Sequence, residues 1–169
     1  MTLTRSFFKK FIESAKKKQL EMEVPDFIYS IVHPNGNYTG FSGGNNLNED
    51  TLFAIGSISK GFAATVIAQL VYKGLIGWQD SIKKHIQFKL PSDIDLTLEQ
   101  LLGHINPLPE HSLTELSEFG DSLNELLDKL QFVKVKDKSN FSYQNILFAA
   151  VAQTVKSLTG LNYTDYLYQ

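Results

Sequence analysis

The segment that most limits what this chain can build is Phe27-Ile28-Tyr29-Ser30-Ile31-Val32, a strand-like run rich in β-branched and aromatic side chains. His33-Pro34-Asn35-Gly36 follows with turn chemistry, Asn-Gly being the strongest short hairpin signal, and residues 37–42 return as a second strand. An isolated hairpin is only marginally stable in water, so it requires further strands or a covering helix. Elsewhere the sequence offers helices and no obvious third strand. Gly43-Gly44-Asn45-Asn46 then opens a loop.

Before the hairpin, Phe7, Phe8, Phe11, Ile12 and Ala15 recur at spacings of three and four, which predicts a helix over 3–19 with one apolar face. Six basic residues and Glu13 give residues 1–20 a charge of +5, leaving −7 for the rest of a chain whose total is −2. A basic amphipathic helix can lie on a membrane surface, but the simpler expectation is a terminal helix packed on its own domain. Lys9 and Lys10 directly follow Phe7 and Phe8, so no uninterrupted signal-peptide core is present. As written, the chain is expected in the cytoplasm; removal of a leader would make it periplasmic or extracellular.

After the hairpin, Phe62, Ala63, Val66, Ile67, Leu70 and Val71 predict a helix over 57–73, closed by Gly74. Further helices are expected at 78–86, 97–104, 112–131, 144–159 and 162–168, with Pro91, Pro107 and Pro109 punctuating the intervals. Trp78 and the phenylalanines are expected in the core. The order helix, hairpin, helices makes the fold class α+β.

Composition removes several functions. Absence of cysteine excludes disulfides, thiolate zinc sites and a cysteine nucleophile. Sixteen basic against eighteen acidic residues lack the excess typical of a nucleic-acid binder. No apolar run is long enough to span a bilayer. His33, His85 and His111 show no metal-ligand spacing, and Gly40-Phe41-Ser42-Gly43-Gly44 is no phosphate loop.

Chemistry concentrates first in Gly56-Ser57-Ile58-Ser59-Lys60. Residues at i and i+3 share a helix face, so the Ser57 hydroxyl and Lys60 amine can meet. A helix N-terminus favours a developing alkoxide, and an amine held among apolar neighbours gives up its proton more readily. Together these are the parts of an activated nucleophile. Taken alone, though, this four-residue pattern is weak, and an N-capping serine followed by a surface lysine is its simpler reading.

Its context is more specific. Thr51 to Lys60, continuing to Leu75-Ile76-Gly77-Trp78-Gln79-Asp80-Ser81-Ile82, resembles the serine β-lactamase and penicillin-binding protein superfamily, in which S-x-x-K carries the nucleophile. Within it the chain is most similar to the class C branch, which includes D-alanyl-D-alanine carboxypeptidases and related esterases. The hairpin 27–42 resembles the opening strands of that branch. Leu96-Thr97-Leu98-Glu99-Gln100-Leu101-Leu102-Gly103-His104 resembles a segment that ends in His-Thr-Ser-Gly-Leu. Phe141-Ser142-Tyr143-Gln144-Asn145, with Gly160, Tyr163 and Tyr166 after it, resembles the segment bearing the Y-x-N motif.

The resemblance implies roles. Ser57 is the nucleophile, Lys60 and Tyr143 move its proton, and Asn145 contacts substrate; neither metal nor cofactor is required. His104 is implied to be a structural helix-end residue. Ile105-Asn106-Pro107 replaces the family's Thr-Ser-Gly, so the turn must differ locally, near the helical subdomain rather than on the nucleophile. The third motif, K-[ST]-G or H-x-G on a strand facing the nucleophile, is missing; Lys156-Ser157-Leu158-Thr159-Gly160 has the wrong spacing.

These readings give one incomplete β-lactamase-like domain, with a sheet-side portion at 1–78 and a helical subdomain at 79–169. They imply a serine hydrolase acting through an acyl-enzyme on a β-lactam, a D-Ala-D-Ala peptide or an ester, present as its N-terminal part and weak or inactive alone. The rival expectation is a non-catalytic interaction module that self-associates, or recruits a missing C-terminal half, through its open sheet edge.

Overall fold

The structure, a computed structural model, describes residues 5–34, 36–44, 47–48, 50–91 and 94–169. Asn35 of the expected turn, Asn45 and Asn46 of the expected loop, and the first two residues of the helix expected over 3–19 lie outside them. The chain divides into two compact units, Met1–Ala54 and Ile55–Gln169, and its class is α+β.

The first unit holds helix α1 (Arg5–Glu21) and strands β1 (Phe27–His33) and β2 (Gly36–Ser42). The strands pair antiparallel from Phe27 opposite Ser42 to His33 opposite Gly36. Burial alternates along both, as period-2 geometry requires of a sheet covered on one face. α1 supplies that cover. Phe8 is buried and stacks on Tyr38 with ring centres 4.1 Å apart. Buried Gln19 then donates from Nε2 to the carbonyls of Val24 (3.0 Å), Pro25 (3.3 Å) and Ser42 (3.2 Å), tying the helix end to both the connection and the sheet. Gly40 leaves room for the Tyr29 ring: a Cβ there would sit 2.2 Å from the Tyr29 hydroxyl oxygen, so a larger residue would make that side chain shift.

The second unit is mostly helical. A 3₁₀ turn, Gly56–Ile58, runs directly into α2 (Ser59–Tyr72). α3 (Leu98–Leu102), strand β3 (Ile105–Asn106), α4 (Thr114–Glu118), α5 (Leu123–Leu130), strand β4 (Asn140–Phe141), a 3₁₀ turn at Ile146–Phe148, α6 (Ala149–Thr159) and α7 (Tyr163–Leu167) follow. α2 is the buried axis: Ala63, Val66, Ile67 and Leu70 point into a core completed by Leu98, Leu101, Leu108, Leu130, Leu147, Val151 and Val155. Thr97 and Ser122 close capping boxes with Gln100 and Glu125, which fixes where α3 and α5 begin. α7 is tied back to α2 by Lys73, whose Nζ donates to the Tyr166 hydroxyl at 2.9 Å.

Several expectations need correction. The helix expected at 78–86 is a single 3₁₀ turn, Ile82–Lys84, because Gly77 donates its N–H to Asp80 and Ser81 bridges to Thr97, both of which hold the backbone open. The helix expected at 112–131 is two helices, parted at Gly120, whose φ of +100° breaks the helical path. The helix expected from 144 starts at Ala149. The core is aliphatic rather than aromatic: Phe8 and Phe88 are buried, while Phe7, Phe62, Phe119, Phe132 and Phe141 are exposed and Trp78 is 39% exposed. The short β3–β4 ladder was not foreseen at all.

Candidate active site

The placement of Ser57 begins with a backbone requirement. Gly56 has φ +51°, the left-handed region that glycine enters at little cost, and it turns the chain into the 3₁₀ turn carrying Ser57. Ser59 reinforces the turn by donating its hydroxyl to the Gly56 carbonyl at 2.7 Å. The helical path then brings Lys60 round to Ser57, three residues away. Its Nζ donates to Ser57 Oγ at 3.2 Å and to Asn145 Oδ1 at 2.7 Å. Tyr143 donates its hydroxyl to the same Ser57 Oγ at 2.7 Å. The structure therefore brings all four sequence-predicted residues, Ser57, Lys60, Tyr143 and Asn145, into one hydrogen-bonded group.

Tyr143 and Asn145 reach that position through β4. Asn140 and Phe141 pair with Asn106 and Ile105 of β3, and Ser142 donates its N–H to the His104 carbonyl at 2.8 Å. Asn106 is 1% exposed. Its Nδ2 donates to the Ser142 carbonyl at 2.9 Å, and its Oδ1 accepts the Leu108 N–H at 3.1 Å. The Ile105-Asn106-Pro107 departure, expected near the helical subdomain rather than at Ser57, thus also supports the segment that reaches Ser57. It builds the ladder that feeds Tyr143, because a buried asparagine offers both a donor and an acceptor to the loop it holds.

His104 closes the same loop from the other side. Its φ is +57°, its ring stacks on the Tyr143 ring at 4.4 Å, and its Nδ1 accepts the Gln144 N–H at 3.1 Å. Gln144, fully buried, is anchored by its amide to the Pro109 carbonyl. His111 donates its N–H to the Tyr143 carbonyl at 2.9 Å. Sequence reasoning missed Asn106, His111 and Gln144 as supports, because each acts through residues more than thirty positions away. The proline and asparagine that displace Thr-Ser-Gly were the available signal.

Two titrating groups respond to this environment. The Lys60 ammonium, first, and the Ser57 hydroxyl, second, hold the Tyr143 phenol below its usual range by favouring phenolate. Burial, reinforced by the positive charge of Lys60, pushes the His104 imidazole down and keeps it neutral, which suits an Nδ1 that accepts a hydrogen bond. Lys60 Nζ also lies 4.9 Å from the Tyr143 ring centre and 5.3 Å from that of Phe148. Chemically, a serine hydroxyl that contacts both an amine and a phenol can lose its proton to either once that partner is deprotonated. Among the described residues no cluster of three or more His, Asp or Glu is placed to hold a metal ion, and no helix is long and apolar enough to cross a membrane.

Comparison with known proteins bears on the family of the chain and on its fold. A family model described as Beta-lactamase matches residues 29–169. The chain is 24% identical over 169 aligned residues to the unguisins hydrolase of Aspergillus campestris, covering 89% of this chain and 32% of that protein. Among solved structures, the octameric penicillin-binding protein homologue of Pyrococcus abyssi is similar at TM-score 0.79 and 23% identity, over 95% of this chain and 41% of that one. The class C β-lactamase of Rhodobacter sphaeroides is similar at TM-score 0.75 and 21% identity, over 93% and 46%. The chain spans about a third of the length of the curated relatives it matches.

Proposed function

The chain belongs to the Beta-lactamase family, and from that premise we propose that Ser57 is the nucleophile of a serine hydrolase. The observation that carries the reading is the convergence of Lys60 Nζ and the Tyr143 hydroxyl on one oxygen, Ser57 Oγ. Ser57 Oγ attacks a carbonyl carbon while its proton passes to the Lys60–Tyr143 pair. The tetrahedral intermediate collapses, the carbon–leaving-group bond breaks, and the same pair returns the proton to the leaving nitrogen or oxygen. Water then attacks the acyl-enzyme, giving up its proton by the reverse route and releasing the acid and free Ser57. Asn145, bonded to Lys60, holds the lysine and faces substrate. The substrate is an amide or ester carbonyl of the β-lactam, D-Ala-D-Ala peptide or ester type; similarity to a protein named as an unguisins hydrolase supports hydrolysis.

The resemblance puts one oxyanion donor on the Ser57 N–H and the other on the strand bearing the third motif, which these 169 residues do not contain. Removal of one such donor typically costs about 10²–10³ in turnover. Acylation of Ser57 is therefore the step to follow, with turnover by this chain alone expected to be slow. A fluorescent penicillin and a fluorophosphonate should each add one acyl or phosphonyl group by intact mass. Equal labelling of the Ser57→Ala variant would overturn the proposal.

A second reading is favoured by the sheet of the first unit. β1 and β2 pair only with each other among the described residues, and Val32 is 80% exposed on that sheet. Such edges accept another strand. Concentration-dependent light scattering tests this reading: a monomer at all concentrations argues against self-association.

A further inference from the structure

A cavity of about 410 Å³ lies between the segment 84–87 and α6, and none of the residues that line it belongs to the Ser57 group. Two hydrogen bonds join its walls across some seventy positions. His85 Nδ1 and Ser157 Oγ are 3.1 Å apart, and the Gln87 N–H donates to Gln153 Oε1 at 2.6 Å. The charged residues that line it are of one sign. Lys84 comes from one wall and Lys156 from the other, and among the described residues neither ammonium has a hydrogen-bond or ion-pair partner. Burial pushes the His85 imidazole down; Asp80 opposes this and Lys84 adds to it. The Asp80 carboxylate is itself engaged, accepting the Gly77 N–H at 2.7 Å. A neutral His85 bonded to Ser157 leaves one donor over, whichever way the bond runs. If the hydroxyl donates to Nδ1, the ring keeps its Nε2–H; if Nδ1–H donates, the hydroxyl keeps its proton.

We propose that this cavity binds a small, polar phosphate monoester by its phosphate group. Two ammonium groups match the two negative charges of the monoester. With the donor left by the histidine–serine pair they make three partners for its three terminal oxygens. The volume falls within the roughly 300–1,000 Å³ of small-molecule sites, so it leaves room beyond the phosphate for an organic body. Gln153 keeps its Nε2 donors while its Oε1 is engaged, and the Gln87 carboxamide can both donate and accept. That body is therefore hydroxylated rather than apolar. The site stands independently of the reading of Ser57 as nucleophile.

Isothermal titration calorimetry of the whole chain tests this in phosphate-free buffer at about pH 7.5, where a phosphate monoester is mostly dianionic. The probes are glucose 6-phosphate, glucuronate and glucose, which share a body and differ in charge at one end. Glucose 6-phosphate should bind saturably, glucuronate about tenfold more weakly, and glucose without measurable heat. Lys84→Gln and Lys156→Gln should each weaken glucose 6-phosphate binding about tenfold. Lys83 is exposed and does not line the cavity, so Lys83→Gln makes the same change in net charge and should leave binding within about twofold. All three lysines are exposed, and an unchanged Tm in each variant confirms that only the site is altered. Absence of saturable glucose 6-phosphate binding would overturn the proposal. So would equal affinity for glucuronate, or a loss in Lys83→Gln as large as in the two cavity variants.

Discussion

The imidazole of His104 lies stacked on the phenol ring of Tyr143, with ring centres 4.4 Å and planes 27° apart, while its Nδ1 accepts the Gln144 N–H. One residue thus sets both the plane of the Tyr143 ring and the path of the backbone just after it. The bond requires an unprotonated Nδ1, and burial keeps His104 neutral below the usual imidazole range.

That linkage has a pH sign. Above the ordinary imidazole value of 6.5 the ring is neutral in both folded and unfolded chains, so it adds no pH dependence. Below it the unfolded chain takes up a proton that the folded one resists, so stability falls as pH drops from about 6.5 toward the lowered folded value. Tm measured across this range should decline, and His104→Gln should remove part of the decline. The rest belongs to His85, also pushed down by burial. A pH dependence unchanged by His104→Gln would show that the stacked ring titrates as it does in water.

Tyr143 should titrate below the ordinary phenol value of 10.0, because the Lys60 ammonium, followed by Ser57, favours its phenolate. The ultraviolet phenolate signal lost in Tyr143→Phe identifies it. Replacing Lys60 with methionine removes the larger cause, so the Tyr143 titration should move up toward its ordinary value. Tyr143→Phe should also slow acylation by about 10²–10⁴, the usual contribution of a proton-transfer group.

Asn106 is the hinge of the β3–β4 ladder. Asn106→Ala leaves the Leu108 N–H and the Ser142 carbonyl without their side-chain partner in a buried site. Thermal unfolding should show a loss of about 1–3 kcal/mol. Acylation should fall as well, because the loop that carries Tyr143 loosens.

Gly56→Ala places a Cβ on a residue at φ +51°, with no neighbouring atom in the way. The cost is conformational, about 1–2 kcal/mol by denaturant unfolding. If the 3₁₀ turn relaxes to escape it, Ser57 shifts and acylation slows with little further change in stability.

The parts of this structure that were legible in the sequence are those encoded locally. The Phe27–Val32 run and its returning strand, the apolar stripe of α2, and the Ser57/Lys60 spacing each lie within a few turns or one hairpin. The meeting of Tyr143 with Ser57 and of Asn145 with Lys60, across some eighty-five residues, was legible only through resemblance. What stayed hidden depends on long-range hydrogen bonds. β3 and β4 are two residues each, too short for any periodicity, and exist because Asn106 and Ser142 bond across thirty-six positions. The break at Gly120 was masked because apolar residues continue on both sides of it. The phenylalanines misled because side-chain size was read as burial, whereas the aliphatic stripe of α2 organises the core.

The central claim is that Ser57 is chemically activated by Lys60 and Tyr143. Its most direct test is the rate at which a fluorophosphonate modifies the chain, with the site located by tandem mass spectrometry. The account predicts a single modification on Ser57, lost in Ser57→Ala and slowed at least tenfold in both Lys60→Met and Tyr143→Phe. Modification elsewhere, or on Ser57 at a rate unaffected by either substitution, would contradict it.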